Sequence, residues 1–224
     1  MPGAKQGSLR CRVVTFLDRL GNRTVLLAAL FAAIYFLGFG LIASKSVVTN
    51  DELFTLYISR LPTFRNVWAA LATGAEQTPP LFYAISRADI RLLGTSGVAL
   101  RLPEMLAFAL MCACLYCIVA RRTSAIYGLL AALLPFMTTA FNYTFDARAY
   151  ALVLGFSALG LLCWLWAADG RHRTLALAGL AVSMAAAISS HYYAVLCLVP
   201  LGLGEVARSL RRKRIDAKVW VALL

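Results

Sequence analysis

Four short stretches of the chain combine residue types that can do chemistry. Asp51 and Glu52 are adjacent carboxylates. Neighbouring side chains point in different directions in any regular backbone, so one can face a reaction centre while the other organises the loop. The same pair also reads as a solvated acidic turn. Asp146 and Arg148 lie between two apolar stretches, FNYTF and AYALVLGF, where charge is expensive. They read as a functional pair or as an ion pair tying helix ends together. His191, in SSHYYAV, stands at another helix end, either as a hydrogen-bonded packing residue or as a metal or phosphate contact. One histidine among scattered acids is too little for a metal site. Cys114 and Cys117 are spaced CxxC inside an apolar run with no flanking redox fold, so small apolar packing accounts for them better than redox chemistry.

Composition dictates what must position these groups. The 224 residues are 61% hydrophobic and 14% charged, against roughly 45–50% and 25% in soluble domains. A water-soluble fold is excluded. The net charge of +12 raises nucleic-acid binding, but the cations sit in short clusters between long uncharged stretches, as in loops between membrane spans. The six cysteines lie in apolar runs or, for Cys11, in a basic tail, which gives no disulfide framework.

A helical span needs about 20 apolar residues, and cutting the sequence at its charges gives Thr24–Ser44, Leu102–Ala120, Thr123–Phe145 and Ala149–Ala168. Two shorter stretches follow, Thr174–Ser190 and Tyr192 to Ala207, and Lys218–Leu224 opens a seventh span that the sequence leaves unfinished. The expected fold is all-α: a polytopic bundle of about six or seven spans, with interfacial helices in a long first outer loop, 45–101. Residues 1–23 form a basic cytoplasmic tail and 24–224 a single transmembrane module. Pro80–Gly94 is kept out of the bilayer on magnitudes. Arg87, Asp89 and Arg91 each cost about 2.5–3.5 kcal/mol near a span centre, whereas each Leu, Ile or Phe returns about 0.3–0.6. Leu81, Ile85, Ala88 and Leu92 recur as one apolar stripe, which fits a helix lying in the interface. A second short helix is expected from Pro62 to Ala72.

With that assignment, fifteen of the 22 Lys and Arg fall on the amino-terminal side of the membrane, including Arg121/Arg122, Arg171/Arg173 and the RSLRRKR run. The positive-inside rule makes that side cytoplasmic and RSLRRKR an inner-leaflet contact. The outer side then collects Asp51, Glu52, Glu76, Asp146, Arg148 and His191. A connecting loop of more than 50 residues is unusual unless it has a task.

The order of the motifs carries a likeness. Asp51-Glu52 after the first span, Thr78-Pro79-Pro80-Leu81-Phe82-Tyr83, Arg101-Leu102-Pro103 opening the second span, and Asp146-Ala147-Arg148-Ala149-Tyr150 opening the fourth resemble C-type membrane glycosyltransferases. The likeness is to the protein O-mannosyltransferase and aminoarabinose transferase branch, glycosyltransferase family 39, and runs from about Thr24 to Arg208. It implies an enzyme that moves a sugar from a polyprenyl-phosphate donor to an acceptor at the outer face by one inverting displacement. The acceptor is a protein, a lipid or a glycan, and no nucleic acid is a partner.

Phosphate is already a good leaving group, so such a site needs a base for the acceptor and positive charge for the departing phosphate. The resemblance makes Asp51 the base, with Glu52 beside it in the catalytic pair. Arg148 becomes the phosphate contact, with Arg101, Lys45 or a divalent cation as substitutes, since Arg holds phosphate oxygens bidentately. Asp146, Tyr83, Tyr150 and His191 are expected around the substrate. The setting it implies is a bacterial inner membrane with the active face periplasmic or exterior.

Two departures stand out: Glu104 follows Arg101-Leu102-Pro103 where the family often has serine, and family members usually continue through further spans. The second feature admits a different reading, a truncated, non-catalytic scaffold or subunit derived from such an enzyme. A small transporter ranks last, because its charges should lie at mid-membrane in a repeated half.

Overall fold

The computed structural model describes residues 24–74 and 76–224. The expected basic tail and Cys11 lie outside the described residues. Within them the chain folds into ten α-helices joined by 3₁₀ turns: α1 Thr24–Lys45, α2 Asn50–Ser59, α3 Phe64–Ala72, α4 Pro80–Leu93, α5 Gly97–Ala120, α6 Ala125–Leu133, α7 Tyr150–Ala168, α8 Arg173–Ser190, α9 Leu198–Arg212 and α10 Ala217–Leu223. The all-α expectation holds among the described residues. Four helical segments, Gly97–Ala120, Tyr150–Ala168, Arg173–Ser190 and Tyr192–Arg212, are each long and apolar enough to cross a membrane. Two bent pairs raise the number to six.

Both bends have local causes. Thr123–Phe145, expected as one straight span, is broken: Ala125–Met137 meets Thr139–Phe145 at 73°. Pro135, within the 3₁₀ turn Leu134–Met137, lacks the amide a continuing helix needs. Aromatics on both sides of the bend hold it in place. Phe136, Phe141 and Phe145 pack on Phe39 of α1 with ring centroids 4.9–6.0 Å apart, and Phe136 meets Phe108 of α5 edge-on at 5.1 Å. At the other bend α2 leaves α1 at 98°. Thr49 and Glu52 form a capping box there, Glu52 N–H donating to the Thr49 hydroxyl and Thr49 N–H to the Glu52 carboxylate, which satisfies two otherwise orphaned donors.

Helix α4 runs as expected but is turned. Phe82, Tyr83, Ser86, Arg87 and Ile90 face the protein. Of the anticipated stripe, Ala88 and Leu92 stay exposed. Arg87 explains the rotation, since its guanidinium donates to the carbonyls of Ser59, Leu61 and Pro62 at the end of α2 and just beyond. Those are carbonyls that helix geometry leaves without partners.

The bundle is assembled around α5, which packs on α1, α6 and α7, while α7 and α8 form an antiparallel hairpin. Close approach depends on glycine at two places. A Cβ on Gly155 of α7 would sit 2.5 Å from the Ala107 carbonyl of α5, and one on Gly97 would sit 2.8 Å from the Ala43 carbonyl of α1. Helix α5 begins ahead of the expected Leu102 because Ser96 caps it, accepting the Ala99 amide at 3.2 Å. Arg101 and Glu104 consequently lie inside the helix and are buried.

Candidate active site

The site is built from the buried side of α2 outward. Asp51 and Glu52 diverge: Asp51 is exposed, whereas Glu52 is 0% exposed. Glu52 meets Arg101 in a two-pronged ion pair, Nε–H to Oε1 and Nη2–H to Oε2, both 2.7 Å. The remaining guanidinium hydrogens go to the carbonyls of Ala43, Ser46 and Val47 at 3.0–3.3 Å. All five donors of the fork are thereby used. Arg101 is 1% exposed and joins α1, α2 and α5; it offers no edge to a ligand. Burial opposes the Glu52 charge, but Arg101 first, then the amides of Thr49 and Ala147, hold the carboxyl below the usual carboxylate range.

Glu52 also reaches the second motif. The Ala147 amide donates to Glu52 Oε1 at 3.0 Å, and the Thr55 hydroxyl donates to the Ala147 carbonyl at 2.9 Å. Ala147 is therefore held to α2 through both its N–H and its carbonyl, which belong to the two peptide units flanking the residue. The segment turns tightly there, Arg148 N–H donating to the Asp146 carbonyl at 2.7 Å, and Asp146 and Arg148 flank the buried Ala147. Burial, then the Glu52 charge, lift the Asp146 carboxyl above its ordinary range, against the pull of Arg148. The Asp51 charge is felt at both Asp146 and Arg148.

Arg148 opens into a cavity of about 680 Å³ lined also by Trp68, Glu76, Thr78, His191 and Tyr192. Its Nη1 donates to Glu76 at 3.0 Å. Against the cost of burial, Glu76 and then Asp51 hold the guanidinium protonated. Unlike Arg101 it is satisfied on one nitrogen by a side chain on the cavity wall. His191 closes the opposite part of the wall at the end of α8. Burial, then the Arg148 charge, push its imidazole below the ordinary histidine value. Its Nδ1 accepts the Tyr193 amide at 3.2 Å, so in the neutral ring Nε2 carries the proton. Tyr143, Tyr150, His191 and Tyr193 follow one another at centroid separations of 5.0–5.5 Å, and His191 and Tyr193 bring this aromatic row to the cavity wall.

The structure thus brings together Asp51, Glu52, Asp146, Arg148, Tyr150 and His191 at one end of the α7–α8 hairpin. Of the eight expected site residues Arg148 and His191 line the cavity, whereas Asp51, Glu52, Asp146, Tyr150, Arg101 and Tyr83 do not. The Tyr83 hydroxyl is buried without a partner, and burial, then the Glu76 charge, push its phenol upward. Glu104, which the sequence places near the interface, is fully buried with both carboxylate oxygens unpartnered. Trp68 is a cavity residue that no motif singles out, while Glu76, expected on the outer side, and Thr78, the first residue of the Thr78–Tyr83 motif, carried no expected role at the site. Among the described residues no three of His, Cys, Asp and Glu converge as a candidate metal-binding group. The described cysteines are free thiols.

The model of the dolichyl-phosphate-mannose-protein mannosyltransferase family matches residues 77–224. The chain belongs to that family. Comparison with curated proteins and with solved structures returned no match. The matched region contains Arg101, Asp146, Arg148, Tyr150 and His191, while Asp51, Glu52 and Glu76 precede it. Membership makes the chain a multi-pass membrane protein of a glycosyltransferase family whose donors are polyprenyl-phosphate-linked sugars.

Proposed function

We propose that this chain carries the reaction centre of a transferase that moves a sugar from a polyprenyl-phosphate carrier to an acceptor hydroxyl at the outer membrane face. The observation that carries the reading is the shared clamp on Ala147. It ties the helix bearing Asp51 to the segment bearing Arg148, and Arg148 opens into a cavity large enough for a small ligand.

In the proposed step Asp51 takes the acceptor hydroxyl proton as the acceptor oxygen bonds to the anomeric carbon. The bond from that carbon to the phosphate oxygen breaks, and its electron pair leaves with the polyprenyl phosphate. Attack from the face opposite the phosphate inverts the carbon. Arg148 stabilises the charge gathering on the phosphate, releasing Glu76 as it does so. A fork-shaped guanidinium can hold two phosphate oxygens at once. The sugar and the prenyl chain approach from the bilayer, where α4 keeps Leu92 exposed.

The test uses the purified chain with radiolabelled polyprenyl-phosphate sugars and mixed acceptors. Asp51→Asn is expected to lower transfer by about 10²–10⁴-fold, the usual contribution of a positioned base, with thermal unfolding unchanged because the residue is exposed. Full transfer by a correctly inserted Asp51→Asn protein would remove Asp51 from the role. No transfer by the wild type with any donor of this class would favour the scaffold reading.

A further inference from the structure

The opposite end of the α7–α8 hairpin carries a second, differently built feature. Nineteen residues of α7 place it roughly 28 Å from the cavity described above. Here a bowl of about 750 Å³ is lined by Arg173, Arg208, Arg212, Arg214 and Lys218, with Asp216 as its one acidic lining residue. The framework of the bowl is rigid. Asp216 receives Arg173 on both oxygens at 2.7 Å and Arg208 at 2.7 Å, and Arg208 is fixed in turn by Glu205 at 2.7–2.8 Å. Glu205 is fully buried and also accepts the Trp164 indole N–H at 3.0 Å.

These two carboxylates offset only part of the charge. Among the described residues, Arg212, Arg214 and Lys218 have no acidic partner within ion-pair distance, and all three are exposed. One nitrogen of Arg208 is buried and unpartnered.

A second cavity, of about 510 Å³, adjoins the bowl and shares Arg214 and Ile215 with it. Its walls are Val206, Leu210, Ile215 and Trp220, with Ser209 and Lys213 at the edge. Leu210 and Ile215 are 74% and 73% exposed. Large apolar side chains left open beside a cluster of unpaired cations make sense against a molecule that is anionic at one end and hydrocarbon at the other.

We infer that this pair of cavities binds an anionic phospholipid of the adjacent leaflet, its phosphate in the bowl and an acyl chain along the apolar groove. Basic pockets between membrane helices recognise such headgroups, each cation near the surface contributing about fivefold in affinity. The groove distinguishes a built site from diffuse surface attraction. The inference is independent of the proposed transfer, since it concerns other residues at the other end of the bundle.

The experiment reconstitutes the full chain in phosphatidylcholine nanodiscs containing a small fraction of phosphatidylglycerol with a photoreactive diazirine in one acyl chain. A matched disc carries the same label on phosphatidylcholine. Phosphatidylglycerol should label the 206–220 segment preferentially. The triple variant Arg212→Gln, Arg214→Gln, Lys218→Gln should lose that preference by at least about tenfold while unfolding at the wild-type temperature. Leu210→Asn, at a residue that lines the groove and not the bowl, should lose labelling of the groove. Inorganic phosphate, compared with chloride at equal ionic strength, should not compete. Equal labelling by the two lipids, an undiminished preference in the triple variant, or labels spread around the whole rim would overturn the inference. Displacement by inorganic phosphate would overturn it too, by making the bowl a site for a soluble anion.

Discussion

Arg101 and Arg148 both face a glutamate, yet they stand in unlike surroundings. Arg101 is 1% exposed and every hydrogen of its fork is engaged. Arg148 keeps a side-chain exposure of 17% and a single bond to Glu76 at the cavity wall. A charge whose hydrogen bonds are all made internally fixes the fold, because a ligand could engage it only by breaking what holds three helices together. A charge only partly satisfied, at the edge of an opening, can exchange its partner for a substrate. The same contrast separates the two neighbouring acids: Glu52 belongs to the buried cradle, Asp51 to the accessible side.

Three substitutions break or sharpen that contrast. The largest effect is expected from Glu52→Gln, which leaves the Arg101 charge buried and uncompensated at a cost of about 3–5 kcal/mol. Denaturant or thermal unfolding in detergent should show it, with activity falling only as the folded fraction falls. Arg148→Gln should do the reverse. Transfer should fall by about 10²-fold or more, as on losing one donor to a developing charge, while the unfolding temperature stays near that of the wild type. A large loss of stability from Arg148→Gln would erase the distinction.

The smallest effect is in pH dependence. Glu52 has a carboxyl held below its unfolded value, so its stabilisation is present above the unfolded carboxylate range and is lost as pH falls through the folded value. Asp146 is shifted the other way: its ionised form is a cost that grows as pH rises through its raised folded value. Asp146→Asn should therefore raise the unfolding temperature slightly at neutral pH, and the gain should vanish in acid, where wild-type Asp146 is protonated in both states. A scan of unfolding temperature against pH for both proteins checks the sign.

The spans were legible because the penalty for burying charge dwarfs the return from any apolar residue, so uncharged runs mark the membrane helices directly. The edges were less so. Helix α2 carries a local start signal, Thr49 three residues before Glu52, but it is only ten residues long and its acids also suit a solvated loop, so charge pattern alone leaves it within the outer loop. The break at Pro135 was written in a proline that hydropathy ignores. Glu76 was invisible as a partner of Arg148, since the 72 residues between them meet only in the folded bundle. Glu104 was placed at the interface because α5 was started one turn late; its burial follows from the Ser96 cap. Which member of the Asp51-Glu52 pair turns inward is set by the capping box with Thr49 together with the tertiary contacts to Arg101 and Ala147.

The grip on Ala147 has a mechanical corollary. Because Ala147 is tied to α2 by its N–H and by its carbonyl, residues nearly a hundred positions apart in the chain are fixed side by side, and the helix carrying the Asp51 carboxylate is joined to the segment carrying the Arg148 guanidinium. The loop bearing Glu76 is joined to that segment by the ion pair with Arg148 alone among the side-chain bonds of the described residues. A phosphate that took the place of Glu76 on Arg148 would therefore undo that one link and leave both bonds to Ala147 in place.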